Sequence, residues 1–213
     1  SGGSQGFMVA PQEGYSEMLR LAEMSTKAIS ANTQIMSTIL FCGILQRFPT
    51  LKVVSSESGL GWVPYLLEVA DHQWERQKLI REGMAIKPSD YFHRQCYVNF
   101  WFEEVGIEMR HHIGIDNIMW GSDYPHIEGS HPYTREHLRL TFGGRSEDET
   151  TTLLTTNVAR LYRFDLEALA PIAEQFCPTK AEVATPIDYA DIPERARGCP
   201  GMAPQNQVQE TAV

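Results

Sequence analysis

An α/β architecture around a parallel sheet is what this sequence predicts, and three observations carry it. Short apolar, β-branched or aromatic runs at 51–56, 96–102 and 118–122 alternate with stretches of helical periodicity. The run from Ile118 leads through Met119 and Trp120 into Gly121, Ser122 and Asp123, the order of a buried strand that ends in a site. The chain has 213 residues and is 42% hydrophobic, enough to bury a sizeable core.

The elements follow in order. Met18, Leu21, Ala22 and Met24 recur near the helical period and predict a helix over 14–27. Ile35, Ile39, Leu40 and Ile44 predict a second over 34–48, with Pro49 as its stop. Residues 51–56 then read as a strand, and Gly59 and Gly61 as a loop. Pro64 suits the first turn of a helix that runs to about Arg81 with Leu66, Leu67, Ala70 and Trp74 inward. Residues 83–89 read as a loop, 96–102 as an aromatic strand, 103–112 as a short helix and 118–122 as the last strand. Residues 135–142 are helical. Ser146 with Glu149 three residues on is a capping-box signature for a final helix, with a break near Asn157. Beyond about residue 165 the pattern decays. The organisation is therefore one domain over 1–175 and an irregular tail over 176–213, punctuated by prolines.

Composition narrows the function. A formal net charge of -9 with dispersed charges disfavours nucleic-acid and anionic-membrane partners, which need clustered Lys and Arg. No apolar run approaches the roughly 20 residues of a membrane span, and no basic-then-apolar leader is visible. Cys42, Cys96, Cys177 and Cys199 form no CxxC pair, so reduced thiols in the cytoplasm are expected. The first residue is Ser1, not Met, which reads as an excerpt or a processed product. There is no Gly-x-Gly-x-x-Gly, Walker loop or Gly-x-Ser-x-Gly elbow to suggest nucleotide binding or a serine hydrolase.

Asp123 stands where α/β folds place their chemistry, at the carboxyl end of a strand. It could ligate a divalent cation or hold a catalytic water, or it could only cap the next loop. Around it, Gly121-Ser122-Asp123-Tyr124-Pro125-His126, then 132–136 (Pro-Tyr-Thr-Arg-Glu) and 157–162 (Asn-Val-Ala-Arg-Leu-Tyr), resemble the end of an amidohydrolase-related enzyme. The resemblance is to the group that includes the aminocarboxymuconate-semialdehyde and resorcylate decarboxylases. Residues 43–49 and 51–62, and the Lys-Pro-Ser-Asp-Tyr-Phe run at 87–92, agree with it in order and spacing. It covers roughly residues 14 to 165.

The resemblance implies a (β/α)₈ TIM barrel, of which the three strands would be the sixth, seventh and eighth. The family's early His-x-His metal motif is not in this sequence. Asp123 then corresponds to an aspartate that binds or closely approaches a divalent metal, commonly zinc or manganese. Glu57, at the end of the first strand, takes the place where many relatives carry a histidine. It could do general acid–base work or anchor the Gly59–Gly61 loop through backbone N–H groups. His126 could orient substrate or be a surface residue. Trp62 could wall a substrate pocket or simply pack the core. Asn157 and Arg160 read as structural. The expected activity is metal-dependent hydrolysis or decarboxylation of a small carboxylate-bearing substrate. The rival is a catalytically silent α/β module. Three strands cannot close a barrel, so the isolated chain is expected to be poorly stable unless it assembles with itself or with the remaining strands.

Overall fold

The computed structural model describes residue 14 and residues 16–197. Strands β1 (Val53–Ser55), β2 (Cys96–Phe100) and β3 (Ile118–Trp120) form one parallel sheet with β2 in the middle. Val54 pairs with Tyr97, and Phe100 with Trp120. Side chains alternate across a sheet. On one face Cys96, Val98, Phe100 and Ile118 join the main core with Phe92, Phe142 and Leu153. On the other lie Tyr97, Asn99 and Met119, and the two large ones are buried outside that cluster.

The helices expected over 14–27 and 34–48 are largely one, α1 (Glu17–Phe41), because residues 28–33 contain neither Gly nor Pro to break it. Ser16 caps it by accepting the Leu19 N–H at 3.2 Å. The break comes at left-handed Gly43 (φ 77), before the short α2 (Ile44–Arg47), and so ahead of Pro49. α3 (Val63–Arg76) carries Pro64 in its first turn, as expected. It ends before residue 81, because Lys78 turns left-handed (φ 56) into the 3₁₀ turn Leu79–Glu82. An additional helix, α4 (Pro88–Gln95), precedes β2; Asp71 accepts the Ser89 N–H at 2.9 Å and its hydroxyl at 2.6 Å.

The helix expected over 103–112 divides at Met109 into α5 (Glu104–Glu108) and α6 (Arg110–Ile113). After β3 come α7 (Thr134–Phe142), α8 (Glu147–Thr151), a π-helical turn (Thr152–Thr156) and α9 (Asn157–Tyr162). The break foreseen near Asn157 is this π turn. Asn157 itself is buried, and its amide donates to the carbonyls of Ile115 and Ile118, both at 2.7 Å. Its own oxygen accepts from Arg160 at 3.1 Å, so both residues fasten β3 to α9 as the structural reading expects.

The capping box predicted at Ser146 does not form. Glu149 is drawn instead to Arg110, 2.8 Å away on α6, and to His111 at 3.3 Å. Beyond α10 (Leu166–Phe176), the stretch expected to be irregular from 176 holds α11 (Lys180–Ala184), the turn Tyr189–Asp191 and α12 (Glu194–Arg197). A real capping box starts α11: Thr179 accepts the Glu182 N–H at 3.2 Å, and Glu182 accepts the Thr179 N–H at 2.6 Å. Val183 enters the main core, while Ile192 and Ala196 form a small core of their own. Residues 198–213, and with them Cys199, lie outside the described residues. Cys42, Cys96 and Cys177 are free thiols. No helix among the described residues is long and apolar enough to cross a membrane.

Candidate active site at the carboxyl edge of the sheet

Parallel strands deliver their carboxyl ends to one edge, and each of the three here is followed within three residues by a carboxylate, two of which converge. Glu57 follows β1 and Asp123 follows β3. Both stand in the left-handed backbone region, with φ 53 and 57. That conformation is unfavourable for residues with a Cβ and persists where surrounding contacts over-determine it.

Those contacts are visible. The Glu57 N–H donates to Asn99 Oδ1 at 2.7 Å, and the Asn99 amide donates to Ser56 Oγ at 3.4 Å. Asn99 sits on β2, on the face away from the main core. On the other side Gly121 N–H donates to Phe100 O at 3.0 Å, which prolongs the pairing of β3 with β2. The loop after Asp123 folds back so that the Ser130 N–H donates to Ser122 O at 2.9 Å. A Cβ on Gly129 would stand 2.7 Å from that same carbonyl, so the return needs glycine. Within the loop the His126 N–H donates to Asp123 O at 2.7 Å, which turns the ring back over the aspartate.

The result is a trio. Glu57, Asp123 and His126 each offer one ligand atom, and these atoms lie within 4.8 Å of one another. His126 Nδ1 is 3.0 Å from Asp123 Oδ2. With that carboxylate as acceptor, a neutral ring carries its proton on Nδ1 and presents Nε2 as a lone pair. The Asp123 side chain is 15% exposed and that of His126 53%, so the trio lines an open edge and not a sealed cavity. Two carboxylate oxygens and an imidazole nitrogen form a donor set that suits zinc or manganese. The sequence reading gave Asp123 alone to a metal; the fold brings Glu57 and His126 to the same place.

Trp62 lies in the segment between β1 and α3. Its indole N–H donates to Ser58 O at 2.8 Å, and the ring packs on the main core. Sequence reasoning missed Glu103. This residue, not Glu57, anchors the glycine loop: its carboxylate accepts the backbone N–H groups of Leu60 and Gly61. Burial pushes its pKa above the ordinary carboxylate value of 4.5, and the two N–H bonds pull it partly back. The available signal was a carboxylate just after an apolar strand, which also describes many surface residues.

A family model described as an amidohydrolase matches residues 28–164. The chain belongs to the amidohydrolase family. Among solved structures, this amidohydrolase chain is similar to an amidohydrolase from Mycobacterium avium subsp. paratuberculosis K-10. The identity is 26% and the TM-score 0.53, over 62% of this chain and 33% of that one. It also matches IDCase from Metarhizium anisopliae in its apo form, with 20% identity and a TM-score of 0.45, over 59% of this chain and 37% of that one. The chain thus spans about a third of the length of the solved structures it matches. No curated protein matches it.

Proposed function

We propose that this chain supplies the carboxyl-edge donors of a metal-dependent amidohydrolase that hydrolyses or decarboxylates a small carboxylate-bearing substrate, aromatic ones included. The observation that carries the reading is the convergence of Glu57, Asp123 and His126 from two strand ends of one parallel sheet. Asp123 is the central ligand of the proposed site, with Glu57 and His126 as further donors. The resemblance to barrel decarboxylases implies that these strands are the last three of a (β/α)₈ barrel. It also implies that the remaining ligands come from strands preceding β1.

A divalent cation at this position would supply Lewis acidity at neutral pH. The side chains have complementary work. Asp123 accepts the Nδ1–H of His126, which fixes the ring and leaves Nε2 as the nitrogen with a free lone pair. The carboxylates can take a proton from a substrate or from water, and a group near its working pH is most effective in such transfers. Glu57 is exposed to solvent.

The test combines metal analysis of the full-length enzyme with its assay on carboxylated and amide substrates before and after chelation. The expected result is bound zinc or manganese and turnover that chelation abolishes and added metal restores. Turnover indifferent to chelation in a protein shown by elemental analysis to be metal-free would overturn the mechanism.

A further inference from the structure

We propose that Glu103 is a positioning residue for Glu57: from the segment after β2 it holds the 57–61 loop in the shape that turns the Glu57 carboxylate toward Asp123 and His126. The proposal rests on the metal reading of that trio.

The loop is built around this one carboxylate. A Cβ on Gly59 would overlap Glu103 Oε1, and one on Gly106 would lie 2.6 Å from Leu60 Cβ and 3.0 Å from Glu103 Oε2. Gly59 therefore clears the space that the carboxylate occupies, and Gly106 lets both Leu60 and that carboxylate pack closely. Gly59 is also left-handed (φ 71), so the turn itself tolerates no other residue easily. The carboxylate accepts the N–H groups of Leu60 and Gly61, one and two residues beyond that turn. Glu57 lies two residues before Gly59, and its own N–H is fixed to Asn99. The loop is thus pinned at both ends from β2 and its continuation.

Desolvation makes a buried carboxylate costly, and a neutral side chain would fill the same space without that cost. What the charge adds is acceptor strength: an ionised oxygen binds N–H groups about twice as strongly as a neutral one. The demand for it comes from backbone that would otherwise relax. Glu57 is held at φ 53, a conformation it would leave if the loop loosened. Once it left, its carboxylate would swing away from the two partners across the sheet edge.

The experiment measures Mn²⁺ affinity and thermal stability of the intact protein, with Mn²⁺ alone as the probe, for the unaltered protein and for Glu103→Gln, Glu103→Asp and Glu57→Gln. Glutamine can offer only one acceptor oxygen to the two N–H groups, so a folded Glu103→Gln should bind Mn²⁺ about tenfold or more weakly. Its bound-Mn²⁺ electron paramagnetic resonance spectrum should change as well. A lower melting temperature with unchanged Mn²⁺ affinity and spectrum would mean a merely structural role and would overturn the proposal. Should Glu103→Gln not fold, Glu103→Asp carries the test. It keeps the charge but withdraws it by one methylene, and unaltered affinity in that folded variant likewise overturns the proposal. Glu57→Gln separates the two ideas. If it weakens binding while the Glu103 variants do not, only the positioning role fails. If the unaltered protein binds no Mn²⁺, or Glu57→Gln leaves binding intact, the metal reading fails and takes the positioning role with it.

Discussion

Asp123 Oδ2 and His126 Nδ1 lie 3.0 Å apart, three residues along a loop that folds the ring back onto the carboxylate. The pair ties ligand chemistry to loop geometry, so it responds to a change that keeps the shape and removes the charge. In the complete enzyme, Asp123→Asn should abolish turnover and weaken metal retention, with little change in folding. Metal content, rate and melting temperature measured together check this. Normal metal and normal rate would remove the main support for the site.

Glu57→Gln separates two roles that the sequence left open. Because Glu103 already anchors the glycine loop, loss of the Glu57 charge should leave the melting temperature of the complete, metal-free enzyme within a degree or so of the original. The rate should fall by about 10²- to 10⁴-fold, the range typical of a lost proton-transfer group. A stable rate with a collapsed melting temperature would return Glu57 to a loop-anchoring role.

How much of this was legible in the sequence follows from the range over which each signal acts. The strands were legible because burial on a parallel sheet demands apolar runs, and 51–56, 96–102 and 118–122 are such runs. The place of Asp123 at the sheet edge was legible because it directly follows a buried strand within the Gly121–His126 run that resembles the family. Helix ends were not, because several are decided by distant partners. Glu149 abandons Ser146 for Arg110, and Asp71 caps α4 from 18 positions away. Glu103 was missed for the same reason: its partners, Leu60 and Gly61, lie more than forty residues upstream. The single α1 was obscured by the mostly small or polar run at 25–34, which a long helix tolerates when much of it is exposed.

Glu103 gives a pH signature of its own. Burial raises its folded-state pKa above 4.5, so the folded protein takes up this proton at higher pH than the unfolded chain. By linkage, the ionised side chain opposes folding at neutral pH, and that penalty fades as pH falls through the raised value toward 4.5. Glu103→Gln has no such titration. The melting-temperature difference between the two proteins should therefore shift toward the unaltered one between pH 7 and pH 4.5. A difference independent of pH would contradict the burial of a titrating carboxylate.

Arg110 and Glu149 are 14% and 24% exposed at their side chains and meet at 2.8 Å across α6 and α8. Glu149→Ala leaves a half-desolvated guanidinium behind. It should cost about 2 kcal/mol, in the range for a hydrogen bond to a charged group. Urea unfolding monitored by circular dichroism checks this, with Glu147→Ala as a control expected near zero.

Within the described residues β1 and β3 each have one strand neighbour, so both outer edges of the sheet are unpaired. Met18, Leu21 and Met24 on α1, and Ile172 and Phe176 on α10, are more than half exposed. Open edges and apolar faces favour association. The isolated chain should elute well above its 24.1 kDa mass in light-scattering chromatography, or else bind a hydrophobic dye and melt without a sharp transition. A monomer with one cooperative transition would contradict this.

The length of α1 has a mechanical consequence. At about 1.5 Å per residue its 25 residues reach roughly 37 Å. Yet its only fully buried side chains, Met36 and Leu40, lie in the last two turns. The helix is a cantilever clamped at its carboxyl end. Amide protons near Met36 can exchange with solvent only when the clamp opens with the core. Those near Glu23 need only local fraying, so protection should grade along a single helix instead of stepping between two.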